Sequence, residues 1–247
     1  MNKRIIGVIG DIHGSDRWIQ IIKDNPQVEQ WIFLGDYVDS KIFSNVEILH
    51  NLKEIITYKE EHPQTILLIG NHDFQYMFGQ MGLFKATGFS VAMYNDYYDL
   101  FSKHRDKFQF AYQIDNYLFS HAGVSMKWWN KYSERFIITN RIVGDESCAI
   151  PDLLSNARRV YHLQCAMWEV GPERSQFPND ENFGSPIWAD FNETRMGALR
   201  GYIHVVGHTP QTQGVKYFKV DNTTGIWYCD ALAHKLRNHL ILEINEN

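Results

Sequence analysis

Two observations on this sequence predict an α/β layered fold. Near the start of the chain, three short apolar runs each end in a glycine followed by polar side chains, with helix-like stretches between them. The runs are Ile5, Ile6, Val8 and Ile9; Trp31-Ile32-Phe33-Leu34; and Thr65-Ile66-Leu67-Leu68-Ile69. Apolar runs without alternation mark parallel strands buried on both faces, and helices are what usually connect such strands. The end of the chain reads differently. Short strands at 214–220, 225–229 and 238–244 alternate with turns, as an antiparallel run closing a second sheet would.

The first run enters Gly10-Asp11-Ile12-His13-Gly14, where the chain must turn. In open α/β sheets ligands gather just past the carboxyl ends of strands. After Ser15-Asp16, Trp18, Ile19, Ile21 and Ile22 predict a short helix ending before Pro26. The second run passes directly into Gly35-Asp36-Tyr37-Val38-Asp39. Val46, Leu49, Leu52 and Ile56 then recur at helical spacing, up to Pro63. The third run leads into Gly70-Asn71-His72-Asp73. From 74 to 105 the composition is helical, with Tyr76, Met77, Phe78, Met81 and Phe84 read as core rather than as a cofactor box. The 108–114 and 117–120 stretches read as two strands around an Asp115-Asn116 turn, the second running into His121-Ala122-Gly123. Between about 123 and 201 the period weakens, among Trp128, Trp129, Trp168, Trp188, prolines and a polar 178–182 loop. This is an elaboration on the sheet, partly covering the site. Tyr202-Ile203-His204-Val205-Val206 is a further strand, ending in Gly207-His208-Thr209-Pro210. No repeat or linker interrupts the chain, so 1–247 reads as one domain.

Composition narrows the class. At 247 residues, 44% hydrophobic and 21% charged, the chain can bury a full core as a soluble globular protein. A net charge of −5 argues against a general nucleic-acid-binding surface. Cys148, Cys165 and Cys229 are odd in number and form no Cys-x-x-Cys pair, which fits a reducing compartment and argues against a disulfide framework or zinc ribbon. The N-terminus enters the first strand at once, unlike a signal peptide, and no apolar run has membrane-spanning length. A cytoplasmic protein with no membrane partner is expected.

Five strand exits carry Asp11 and His13; Asp36 and Asp39; Asn71, His72 and Asp73; His121; and His208. Singly, each has a plain reading: a turn aspartate, a satisfied core histidine, a left-handed asparagine. Jointly the plain reading fails, because carboxylate, imidazole and carboxamide recur at every exit. Oxygen and nitrogen donors without thiolate suit Mn²⁺, Fe, Zn²⁺ or Ni²⁺. Two ions about 3.5–4 Å apart need a bridging carboxylate; such a pair clamps an in-line displacement at phosphorus and acidifies the water between them.

The segments Gly-Asp-Ile-His-Gly, Gly-Asp-Tyr-Val-Asp, Gly-Asn-His-Asp, Ser-His-Ala-Gly and Gly-His-Thr-Pro, in this order over residues 10–210, resemble the five motifs of the calcineurin-like metallophosphoesterases. The resemblance implies a β-sandwich of two mixed sheets flanked by helices. It also implies two divalent ions, with Mn²⁺ expected and Fe, Zn²⁺ or Ni²⁺ as alternatives. Asp11 and His13 would hold the first, Asp36 would bridge, and Asn71, His121 and His208 would hold the second. His72 would be the general acid or transition-state stabiliser near the leaving oxygen and Asp39 its partner, as in the phosphoprotein-phosphatase branch. Diesterase-type members often carry Gly-His-x-His; Pro210 stands there instead, as in the phosphoprotein phosphatases and the symmetrical dinucleoside-tetraphosphate hydrolases.

Two departures concern phosphate binding. Where that branch has an arginine after the second aspartate of the second motif, this chain has Ser40. Where phage-type phosphatases have an arginine two residues after a tryptophan, it has Asp190, in Trp188-Ala189-Asp190. Lys41, Arg141, Arg195 and Arg200 are the candidate substitutes, each weighed against a plain surface charge. The expected activity is phosphomonoester hydrolysis, on a phosphoprotein or a small molecule, by a metal-bridging hydroxide. The alternatives are cleavage of dinucleoside polyphosphates, to which the four tryptophans could lend base stacking, then phosphodiester hydrolysis, then a non-catalytic scaffold. A scaffold has no need of mutually repelling carboxylates around an empty cavity.

Overall fold

The computed structural model describes residues 3–79, 83–176, 181–233 and 238–245. Two five-stranded mixed sheets lie face to face. The first has the order β10-β1-β2-β3-β4, built from β1 (Lys3–Ile9), β2 (Gln30–Phe33), β3 (Ile66–Leu68), β4 (Phe108–Gln109) and β10 (His239–Asn245). The second has the order β5-β6-β7-β9-β8, from β5 (Ala111–Ile114), β6 (Tyr117–Ser120), β7 (Ile203–Val206), β8 (Lys216–Lys219) and β9 (Gly225–Tyr228). Successive strand residues face opposite sides, so the apolar runs feed two cores. Ile6, Val8, Ile32, Leu34 and Leu68 meet Phe119, Val205 and Cys229 between the sheets. Ile9, Phe33 and Leu67 face the other way, into a larger core with the helices.

Strands β1, β2 and β3 are parallel, and the crossovers between them are α1 (Arg17–Asp24) and α2 (Asn45–Glu61). Helix α1 buries Trp18 and Ile21. Helix α2 starts from Ser44 and Glu47 in a reciprocal capping box, and buries Ile48, Leu52, Ile55 and Ile56. Val46, expected on that face, is 77% exposed. The buried face instead includes Asn51, whose Oδ1 accepts the Trp18 indole N–H at 2.9 Å.

Three other expectations are corrected. The 108–114 stretch is two strands: β4 pairs with β3 in the first sheet and β5 with β6 in the second, while Phe110 between them turns into the helix-side core. The tail does not all close the second sheet. Strands β8 and β9 do, but β10 crosses back and pairs antiparallel with β1 along its whole length, from Lys3↔Asn245 to Ile9↔His239. That pairing covers an otherwise open strand edge. The 74–105 stretch forms two helices, α3 (Asn71–Met77) and α4 (Tyr94–Lys103), with a non-helical segment before α4. Tyr76, Met77, Phe78 and Phe84 are buried as expected; Met81 lies outside the described residues.

The 123–201 region is largely helical: α5 (Met126–Ile142), α6 (Ile150–Ser155), α7 (Tyr161–Met167) and α8 (Phe191–Gly197). Residues 178–180 of its polar loop lie outside the described residues. Trp128 is fully buried with its indole N–H on the Ala166 carbonyl, and Trp168 packs against Phe74 and Phe84. Both act as core. Among the described residues, no helix is long and apolar enough to cross a membrane.

Candidate metal centre

The strand exits are stitched together by the backbone before any side chain acts. The Ile12 and His13 N–H groups donate to the Asp36 carbonyl at 3.1 and 2.7 Å, and the Gly14 N–H to the Tyr37 carbonyl at 3.2 Å. The Asp73 carboxylate collects three more N–H groups, from Asp36 (2.7 Å), Tyr37 (2.8 Å) and Gly70 (2.9 Å), and so fastens the second exit to the third. The fifth exit closes onto the first, where the His208 N–H donates to the Asp11 carboxylate at 2.9 Å. Two glycines permit this crowding. A Cβ on Gly70 would lie 2.1 Å from Asp36 Oδ1, and one on Gly207 would lie 2.1 Å from Asp11 Oδ1.

His13, Asp36, Asp39 and His208 all have positive φ, at 43°, 53°, 58° and 60°. Such backbone costs about 1–3 kcal/mol per residue and persists where the surroundings over-determine it. Here it turns four polar side chains toward one centre.

Asp11, Asp36, Asp39, Asn71, His121 and His208 are buried, and His13 and His72 partly exposed. His121 Nδ1–H donates to the Leu34 carbonyl at 2.8 Å, which turns Nε2 inward. That Nε2 lies 3.3 Å from Asp36 Oδ2, 3.1 Å from Asn71 Oδ1 and 3.2 Å from His208 Nδ1. On the other side of Asp36, His13 Nδ1–H donates to the Asp39 carbonyl at 2.6 Å, leaving its Nε2 3.6 Å from Asp36 Oδ2. Among the described residues, side chains able to hold a cation form two groups that share Asp36: His13, Asp36 and His72, and Asp36, His121 and His208. Asp11 stands beside them with both oxygens toward the His208 N–H.

The donor set fits a divalent cation. Lone-pair atoms converge with few protons to share, each imidazole is oriented by a backbone carbonyl or neighbour, and His208 Nε2 is buried without a hydrogen-bond partner. Electrostatics make the same demand for positive charge. Burial pushes Asp11 up to about 7. Burial works against a charged His121, yet Asp36 and Asp11 raise it to about 10. His72 is likewise opposed by burial, but Asp36 and Asp39 raise it to about 9. Its Nδ1 lies 2.9 Å from Asp39 Oδ2.

A cleft of about 540 Å³ opens onto this centre, lined by Asp11, His13, Asp39 and His72 together with Lys41, Phe43 and Arg17. Of the candidate phosphate-binding cations, the structure brings only Lys41 there. Arg141 lies at the end of α5 beside Asp145 and Ser147. Arg195 covers the rings of Phe191 and Phe218, and Arg200 pairs with Asp221 at 2.6 Å. All three are absent from the cleft wall, because each neighbouring stretch fixes them elsewhere: Thr194, buried against the Tyr228 hydroxyl at 2.9 Å, turns Arg195 outward.

The sequence reading missed three charged groups. Arg17 opens α1, donates to the Leu232 and Ala233 carbonyls at 3.1 and 2.7 Å, and lines the cleft. Asp230, which burial and Asp11 raise to about 8, faces the same cleft. Arg174 reaches Thr209 Oγ1 at 3.2 Å, and its Nε lies 3.1 Å from Asp190 Oδ2. Asp190, the aspartate at an expected arginine position, therefore holds an arginine from another loop. Proximity to Trp188-Ala189-Asp190 in space, not in sequence, is the signal, and the one-dimensional reading had no access to it.

A two-sheet sandwich with nitrogen and oxygen donors gathered at its strand exits is a scaffold carrying a metal-type site. Residues 5–231 match the calcineurin-like phosphoesterases, and the chain belongs to that family. Among solved structures, it is similar to the cold-active protein-tyrosine phosphatase of a psychrophilic Shewanella species, with a TM-score of 0.54 and 16% identity, over 98% of this chain and 76% of that one. It is also similar to a protein serine/threonine phosphatase from Saccharomyces cerevisiae, with a TM-score of 0.47 and 18% identity, over 99% and 80%. No curated protein matches by sequence.

Proposed function

We propose that the chain hydrolyses phosphate monoesters at a pair of divalent cations. The observation that carries this is the sharing of Asp36 by two donor groups at the head of an open cleft, with His72 of the first group drawn onto Asp39 through its Nδ1. Asp11, His13 and Asp36 would hold one ion, and Asp36, Asn71, His121 and His208 the other, with Mn²⁺ the expected metal. When bound, such ions polarise the phosphoryl oxygens and lower the pKa of a water ligand.

The chain's own residues do the rest. Asp39 holds His72 by Nδ1, so His72 presents Nε2 and its proton to the leaving oxygen. Lys41 in the cleft and Arg174, held by Asp190, take the place of the two missing phosphate-binding arginines. Free thiols at Cys148, Cys165 and Cys229 support a reducing, cytoplasmic setting. Residues 1–247 act as one domain, since α5, α6 and α7 share the core of the first sheet.

Cleavage of a dinucleoside polyphosphate is a second reading, supported by Arg17 as a further cation in the cleft. Stacking of its bases on Trp128 or Trp168 is not, because both are engaged in packing. The test is a panel of p-nitrophenyl phosphate, bis-p-nitrophenyl phosphate, a phosphopeptide and diadenosine tetraphosphate. The protein is first stripped of metal and then titrated with Mn²⁺. Turnover of the monoesters with two Mn²⁺ bound is expected. Preference for the diester, or no Mn²⁺ uptake, overturns the proposal.

A further inference from the structure

Asp39 is bonded more heavily than its partnership with His72 requires. Its Oδ2 accepts the Gln75 Nε2–H at 2.5 Å as well as His72, and its Oδ1 accepts the Tyr76 hydroxyl at 2.7 Å. Gln75 and Tyr76 are wholly buried on α3. Each carries a second bond on its far side. The Ala86 N–H donates to Gln75 Oε1 at 2.7 Å, and the Ser90 N–H donates to the Tyr76 hydroxyl oxygen at 2.8 Å. Two parallel relays therefore run from the backbone at 86 and 90 to the two oxygens of one carboxylate.

The chemistry of each relay is one-directional. A backbone N–H can only donate, so Ala86 fixes which way the Gln75 amide points and turns its NH₂ toward Asp39. Ser90 likewise fills an acceptor site on the Tyr76 oxygen and leaves the hydroxyl proton for Asp39. Packing holds the same segment. The Phe89 ring stacks on Tyr76 with centroids 5.1 Å apart, and a Cβ on Gly88, at φ 94°, would lie 3.3 Å from Asp39 Cβ. Between the two anchoring amides, Thr87 and Gly88 form cleft wall beside His72.

We infer that Gln75 and Tyr76 are positioning residues that set the cleft wall at 87–88 and the Asp39–His72 pair as one unit. The inference rests on the acid role proposed for His72. Neither side chain touches the reacting atoms. They act by holding Asp39 in the orientation that receives His72 Nδ1–H. A fully satisfied buried network of this kind rigidifies what it joins.

Tyr76→Phe keeps the ring and its stack on Phe89 while removing one relay; Gln75→Leu removes the other. With fold checked by circular dichroism, Tyr76→Phe should lower kcat about tenfold for an alkyl phosphate, a part of what a general acid supplies. The loss for p-nitrophenyl phosphate should be far smaller, because its leaving group needs little protonation. In a His72→Ala background, Tyr76→Phe should cost no further rate. Hydrogen exchange of the 84–93 segment, read by mass spectrometry, should quicken in both variants. Equal losses on the two substrates, additivity with His72→Ala, or unchanged exchange each overturns the inference. If the wild-type protein turns over neither substrate, the phosphatase reading fails by itself. Exchange at 84–93 needs no turnover and still decides whether the relays exist.

Discussion

Asp73 offers the sharpest test of how the candidate metal centre is built, because its carboxylate accepts from three backbone N–H groups and so fixes two strand exits. Its Oδ2 accepts from the Asp36 and Gly70 N–H groups at 2.7 and 2.9 Å, and its Oδ1 from Tyr37 at 2.8 Å, all buried. In Asp73→Asn one oxygen becomes an NH₂ group facing an N–H. The better of the two amide orientations sacrifices only the Tyr37 bond; the worse sacrifices both others. A buried donor left without a partner costs about 1–3 kcal/mol, so the better orientation sets a loss of about that size. Asp73→Ala orphans all three donors and should cost several kcal/mol, a large share of the 5–15 kcal/mol typical of a folded domain. Because Asp36 shares this anchor, Mn²⁺ affinity should fall together with stability. Urea unfolding of the metal-free protein measures the first, and calorimetric Mn²⁺ titration the second. Wild-type stability and affinity in Asp73→Asn would refute the claim that these three bonds position Asp36.

His72→Ala should retain metal but lose roughly 10²–10⁴ in kcat on an alkyl phosphate and much less on p-nitrophenyl phosphate, with Asp39→Asn following more weakly. Equal losses on the two substrates would remove the acid role. Asp36→Asn should abolish Mn²⁺ binding at both sites, whereas His13→Asn should spare one ion, as elemental analysis of dialysed protein will show. His204, buried with its Nε2 on the Leu199 carbonyl at 2.9 Å, is lowered by burial from 6.5 to about 4. The folded state refuses a proton that the unfolded chain accepts, so stability is intact above pH 6.5. As pH falls from 6.5 toward 4, about 3 kcal/mol should be lost. Comparing urea midpoints from pH 7 to 4.5 with those of His204→Gln isolates this slope, and parallel curves would contradict it.

The parts of the fold legible in the sequence are those that local chemistry encodes. Ile5 to Ile9, apolar and ending in a glycine turn, reads as a strand and is one, and the Gly-Asp and Gly-His exits bring their donors with them. What stayed hidden depends on distant partners. The division of 108–114 between sheets is made by Leu67 and Leu68 on one side and Tyr117 to Ser120 on the other. The destination of β10 is decided by the open edge of β1. Arg174 is legible only through Asp190, and Asp73, visible at the third exit, shows its anchoring role only through the backbone it collects. Lys41 differs because it follows the second exit directly, so sequence adjacency and spatial adjacency coincide.

The pairing of β10 with β1 has a consequence during synthesis. Strand β1 leaves the ribosome well before the strand that covers its edge, because most of the domain lies between Ile9 and its partner His239. At about 5–20 residues per second, tens of seconds pass between the two events. For that interval a run of Ile, Val and Gly with unpaired backbone faces solvent or a chaperone. A chain cut short before His239 would keep every candidate metal ligand and still carry a permanently sticky edge, so C-terminal truncation should appear first as aggregation.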